Sequence, residues 1–167
     1  MKKSFDIKIE VDEEDLSTLI STAMSDNCGF AWWDRDDADY ERAKSELISE
    51  RKPDADDQIC VEDIYARILM NGGKLNLLDG ESDWHWSGHA ADEMLWNAQL
   101  IAEGCHPVGG EWHAVGLEDV VRGIQLYAES HCASDCGPNL RKIVEDGDFW
   151  DADAVFQCAA YGDVIYG

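Results

Sequence analysis

Asn27-Cys28-Gly29-Phe30-Ala31-Trp32-Trp33-Asp34-Arg35-Asp36-Asp37-Ala38-Asp39-Tyr40 runs from a chain-turning glycine through three aromatic rings into four carboxylates, with one arginine among them. Phe30 to Trp33 reads as a short strand or as an aromatic plug beneath a loop. From Asp39 to Glu50 the spacing becomes helical, with Tyr40, Ala43, Leu47 and Ile48 on one side. The stretch is a junction: apolar anchors enter a core, and a dense negative edge leaves it. A shorter echo, Phe149-Trp150-Asp151-Ala152-Asp153, lies near the other end of the chain.

On the N-terminal side, Phe5, Ile7, Ile9 and Val11 alternate with Asp6, Lys8 and Glu10, which predicts a half-buried strand. Asp12 can cap a helix whose first turn holds Glu13, Glu14 and Asp15, a composition that suits the helix dipole. Leu16, Leu19, Ile20 and Ala23 form its apolar stripe, and Asn27 and Gly29 end it. On the other side, Arg51-Lys52-Pro53-Asp54-Ala55-Asp56-Asp57 is a polar, proline-bearing connection, so 51–58 is the candidate lobe boundary of a single acidic domain, 1–167.

Val61-Glu62-Asp63 starts a helix through Ile64, Ile68 and Leu69, closed by Asn71-Gly72-Gly73. Lys74 to Leu78 reads as a strand turned by Asp79-Gly80, and Asp83 to Trp86 as its neighbour. Gly88 to Glu103 is helical in pattern, and His106 to Gly110 reads as a turn or loop. Leu117 opens another helix through Ile124 and Tyr127. A loop over 134–138, a short helix over 139–145, a helix from Asp151 to Tyr161 and a strand from Gly162 to Tyr166 complete the reading. The expected fold class is α+β: a small antiparallel sheet or sheets packed with five to six helices.

The 167 residues include 36 Asp+Glu and 13 Lys+Arg, a net charge of −23. Acids exceed bases throughout: 19 against 8 over residues 1–63, 11 against 3 over 64–140, and 6 against 2 over 141–167. A hydrophobic fraction of 45%, with seven Trp, supplies a core that disordered acidic chains lack. Self-repulsion on this scale opposes folding, so the surface charge calls for a function. A compact chain of this mass exposes about 8,000 Å², roughly 350 Å² per net charge, whereas B-DNA presents about one charge per 100 Å². Mimicry of DNA therefore requires carboxylates gathered on one face.

The first residues, Met1-Lys2-Lys3-Ser4-Phe5-Asp6, contain no apolar run, and no stretch approaches the length of a membrane span. The chain reads as cytoplasmic, with its six cysteines reduced. Direct binding to nucleic acid or an anionic membrane is disfavoured. The basic clusters are only Lys2-Lys3, Arg51-Lys52 and Arg141-Lys142.

Metal and enzyme chemistry have weaker signals. Cys105, His106, Cys132 and Cys136 are the best zinc candidates, but Cys132-x3-Cys136 has no clean partner pair. The run Asp34, Asp36, Asp37, Asp39 hints at alternating oxygen ligands. Its EF-hand reading fails because Asp39 stands where the turn glycine belongs and Ser45 where the glutamate belongs. Nucleophile-elbow, zincin, P-loop and dinucleotide patterns are missing from the sequence. The expectation is a protein without enzymatic activity, metal or cofactor; a zinc- or cysteine-dependent enzyme and a merely soluble acidic interaction protein are the alternatives.

Asp151-Ala152-Asp153-Ala154-Val155-Phe156-Gln157-Cys158-Ala159-Ala160-Tyr161-Gly162-Asp163-Val164-Ile165-Tyr166-Gly167, together with Gly29-Phe30-Ala31-Trp32-Trp33, resembles small acidic uncharacterised proteins of bacterial phages and mobile elements. The resemblance covers both ends and implies a phage-type context without catalytic residues to carry over. By analogy of charge and context, anti-CRISPR and other DNA-mimic proteins share its functional class. The resulting expectation is an inhibitor in the bacterial host cytoplasm. It would occupy the basic nucleic-acid-binding surface of a CRISPR effector or restriction enzyme. Asp34, Asp36, Asp37, Asp39, Asp54, Asp56 and Asp57 would serve as phosphate surrogates, and Tyr40 as a bordering aromatic.

Overall fold

The computed structural model describes residues 10–25, 29–51, 59–88, 100, 104–130 and 149–166. Helix α1 spans Glu13–Met24. Asp12 accepts the Asp15 N–H at 2.9 Å and Asp15 accepts the Asp12 N–H at 3.2 Å, so the two reciprocally satisfy free helix-end donors. Strand β1 is Phe30–Arg35, helix α2 Asp37–Arg51, helix α3 Val61–Met70 and strand β2 Lys74–Asp79. Strands β3 (Trp84–Trp86), β4 (Pro107–Gly109) and β5 (Trp112–Gly116) precede helices α4 (Leu117–Ser130) and α5 (Phe149–Tyr161).

The described residues form a mixed α+β fold with five helices and two small antiparallel sheets. The larger sheet has the order β1-β2-β5, and β3 pairs with β4. Register separates its faces. Trp33 lies opposite Leu77, Leu77 opposite His113, and Leu75 opposite Arg35 and Val115. Trp33, Leu75, Leu77 and Val115 pack with the helical core; the Trp33 ring lies 4.7 Å from Phe156 of α5. Helices α3 and α5 contact this sheet, α1 contacts both of them, and α2 and α4 flank α3 and α5 respectively.

The other face carries Trp32, Leu78 and Trp112 in register. The β3–β4 ribbon covers part of it, with the Trp32 and Trp86 rings 5.3 Å apart. Gly110, at φ +72°, brings its backbone so close that a Cβ would fall 2.6 Å from the Leu78 side chain. Gly123 lets α4 approach α5: a Cβ there would lie 2.9 Å from the Ala159 nitrogen and closer still to the Val155 carbonyl.

Three expectations about strands are corrected. Trp84–Trp86 does not neighbour β2; it pairs with Pro107–Gly109, within the 106–110 segment expected as a turn or loop. Pro107 opens that strand, a position that tolerates its missing N–H. The strand Trp112–Gly116 was not expected, although Trp112 to Val115 supplies the second partner of β2. Gly162 to Tyr166 is not a strand. Its Ile165 and Tyr166 N–H groups donate to the side-chain oxygen of Gln157, at 2.8 and 2.7 Å, instead of to a sheet. The expected strand over 5–11 and helices over 88–103 and 139–145 lie wholly or almost wholly outside the described residues, as does 52–58.

Candidate functional site

The Asp34–Tyr40 edge is a strand-to-helix junction. Asp36 caps α2, accepting the Ala38 and Asp39 N–H groups at 2.9 and 3.1 Å. Arg35 reaches Asp34 at 3.1 Å and Asp37 at 3.7 Å, and Arg42 reaches Asp39 at 2.6 Å. The Arg35 guanidinium also lies 4.6 Å from the centre of the Tyr40 ring, which packs against the core. The Asp37 side chain is 92% exposed, against 45% for Asp34 and 25% for Asp39. Two guanidiniums therefore offset half of this edge's negative charge. Asp54, Asp56 and Asp57 lie outside the described residues, so no geometry joins them to it.

A denser concentration lies at the other end of α2, which at 15 residues is about 22 Å long. Arg67 of α3 binds Glu13 of α1 at 2.5 Å and Glu50 of α2 at 2.7 Å, with Glu46 at 3.6 Å. It draws the Glu50 carboxyl below its ordinary value through their hydrogen bond. Beside it, Asp63 takes Arg51 at 2.7 Å and the Ser17 hydroxyl at 2.8 Å. Burial pushes the Asp63 carboxyl up, and these bonds outweigh it and hold it low. Glu13, Glu14, Ser17, Thr18, Arg51 and Asp63 line a cleft of about 410 Å³. Glu62 accepts from Ser21 alongside, and the Asp12–Asp15 cap stands at the adjoining helix end. Among the described residues, α1, α2 and α3 thus gather Glu13, Glu14, Glu46, Glu50 and Asp63 around Arg51 and Arg67, with Asp12, Asp15 and Glu62 on adjoining turns. No local sequence pattern predicts this, because the gathering depends on how α1, α2 and α3 pack.

A third arrangement, also unforeseen, closes one end of the larger sheet. Asp79 is buried, 5% exposed. It accepts the Glu81 N–H at 2.8 Å, the Tyr161 hydroxyl at 3.0 Å and the Tyr166 hydroxyl at 3.0 and 3.1 Å to its two oxygens. Burial raises this carboxyl; the three donors and nearby His113 more than compensate, leaving it below the ordinary carboxylate range. The same burial, reinforced by Asp79, pushes the Tyr161 phenol far up, so Tyr161 remains a donor. Gln157 sets Tyr166 in place: besides holding the 165–166 backbone, its amide donates to the Tyr166 carbonyl at 2.9 Å and to buried Asp153 at 2.6 Å. Asp153 in turn accepts the Gly29 N–H at 2.9 Å. The Gly29–Trp33 and Asp151–Tyr166 segments, far apart in sequence, therefore meet here.

Among the described cysteines, Cys60 is exposed and Cys105 half-buried. Cys158 is buried, and burial, with Asp163 nearby, pushes its thiol up to about 11, which leaves little thiolate at neutral pH. Of the zinc candidates, Cys132 and Cys136 lie outside the described residues, while His106 Nδ1 lies 3.3 Å from the Ser87 hydroxyl. Among the described residues, no helix is long and apolar enough to cross a membrane. No family model matches the chain, and neither a curated protein nor a solved structure was found to be similar to it.

Proposed function

We propose that the protein is a non-enzymatic inhibitor that occupies a basic, nucleic-acid-binding surface on a host defence complex, a CRISPR effector or a restriction enzyme. The observation that carries this reading is the concentration of carboxylates from α1, α2 and α3 around Arg51 and Arg67 among the described residues. At its other end helix α2 carries the Asp34–Asp39 edge, where Asp37 is exposed. Asp54, Asp56 and Asp57 stand between α2 and α3 in the sequence and remain part of the proposal as phosphate surrogates.

A groove built for DNA gains affinity by exchanging counterions for phosphates. A folded array of carboxylates can enter the same groove with long-range electrostatic steering and without the groove's substrate being cut. The ion pairs of Arg67 and Arg51 serve this role by holding long acidic side chains in place. A defence complex as the target fits the phage-type context that the likeness of the two chain ends would imply, by analogy of charge and context.

The test is a DNA-binding assay on purified CRISPR effectors and restriction enzymes. The expected result is that the protein competes with target duplex for at least one of them, and that raising the duplex concentration restores binding. Inhibition that excess duplex cannot relieve, or no inhibition of either class, would refute the reading.

A further inference from the structure

Asp79, Glu111 and His113 bring one carboxylate oxygen each and a ring nitrogen to within 4.8 Å of one another. Their placement follows from the sheet. Asp79 ends β2, and its N–H donates to the Glu111 carbonyl at 2.9 Å. His113 lies in β5 opposite Leu77, two residues before Asp79, so both side chains leave the same face of the sheet at the same end. Glu111 is exposed at the mouth of the cluster, His113 is half-buried and Asp79 is buried.

Two features point beyond a hydrogen-bonded cluster. The Nε2 atom of His113 is buried and has no hydrogen-bond partner. Whether it carries a hydrogen or a lone pair, a buried polar atom left so is destabilising. Asp79 also has unused acceptor capacity. Its oxygens offer about four lone-pair sites, while the Glu81 N–H and the Tyr161 and Tyr166 hydroxyls supply one hydrogen each, that of Tyr166 shared between both oxygens. Carboxylates that ligate metals are themselves oriented by such outer donors.

We propose that Asp79, Glu111 and His113 form a binding site for a divalent transition-metal ion of the zinc class. The donor set of one imidazole and two carboxylates suits that class, and would be poor for calcium, which takes six to eight oxygens. Zinc bonds of about 2.0–2.2 Å need ligand atoms roughly 3.4 Å apart, so the three groups, now within 4.8 Å of one another, would draw together by side-chain rotation, for which exposed Glu111 has room. The tyrosines act through Asp79: Tyr161 and Tyr166 hold its carboxylate, and the ion would in turn tie α5 and the 162–166 segment to β2 and β5. This site is separate from the acidic face of α1, α2 and α3, and its success or failure leaves the inhibitor reading untouched.

The experiment is calorimetric titration of chelator-treated full-length protein with Zn²⁺, in physiological salt and excess Mg²⁺ to saturate loose binding by surface carboxylates. A parallel imidazole NMR spectrum reports on His113. The expected result is one Zn²⁺ per chain, a shift of the His113 ring resonances, and affinity at least tenfold weaker in Glu111→Gln and in His113→Gln. Glu111→Gln alters an exposed side chain, so its loss of affinity cannot be ascribed to unfolding. The proposal is overturned if no one-to-one binding is seen, if both variants bind as the parent does, or if binding instead requires Cys105 and His106.

Discussion

Asp79 has exchanged almost all of its water for three protein donors, two of them phenols from beyond the end of the sheet. Asp79→Asn keeps the shape, removes the charge and turns an amide toward a tyrosine hydroxyl. The expected cost is about 1–3 kcal/mol at pH 7, measured by urea unfolding. Because the folded carboxyl lies below its ordinary value, its stabilisation is complete above the unfolded value of about 4 and fades as pH falls through the folded one. Parent and variant should converge in acid; a gap that widens there would contradict the assignment. Gln157 gives a second residue-scale test. Gln157→Leu leaves the Ile165 and Tyr166 amides without their acceptor. Their hydrogen exchange should accelerate by about tenfold or more while the interior amides of α5 stay protected. Unchanged exchange at the two amides would mean that something else holds the segment. Neither role is visible in sequence. Asp79 reads as a turn residue before Gly80, and its phenols lie 82 and 87 positions away.

At the scale of elements, α4 and α5 approach each other closely at Gly123. Gly123→Ala adds helix propensity of up to about 1 kcal/mol but forces a methyl against the Val155 carbonyl and Ala159. A net loss of about 1–3 kcal/mol is expected by thermal or urea unfolding; a neutral or stabilised variant would show that the two helices are not packed this closely. The helices themselves were the legible part of the sequence. Asp12 with Glu13 to Asp15, the stripe Leu16-Leu19-Ile20-Ala23, and the start at Val61-Glu62-Asp63 state caps and period locally, and α1 and α3 follow them. Phe30 to Trp33 proved to be a strand, with Trp33 in the core and Trp32 on the opposite face. The strands were less legible because they are short and their partners are remote. Trp112 to Val115 alternates over only four residues beside Gly109-Gly110, and half of the alternation is a histidine and an exposed tryptophan. Pro107 to Gly109 has turn composition and becomes a strand only because Trp84 to Trp86 pairs with it.

The whole molecule exposes 10325 Å² for a net charge of −23, about 450 Å² per charge, against about 100 Å² on B-DNA. Average charge therefore cannot imitate DNA, and any mimicry must come from local concentration. Total acidity was readable from composition. Its focus was not, because Arg35 and Arg42 offset much of the Asp34–Asp39 edge while α1, α2 and α3 gather carboxylates from separate parts of the chain. Asp36 is a poor probe of recognition, since it caps α2. Exposed Glu14, Asp37 and Glu41 are better probes, since Arg67 pairs with Glu13, Glu46 and Glu50 instead. The most direct test of the inhibitor reading is the affinity of the parent and of the triple variant Glu14→Lys, Asp37→Lys, Glu41→Lys for an inhibited defence complex, measured across a salt series. The prediction is at least a tenfold weaker complex for the variant at low salt and a shallower decline of its affinity with added salt. Equal affinities and equal salt slopes would contradict the claim that the acidic surface of α1 and α2 takes the place of nucleic acid.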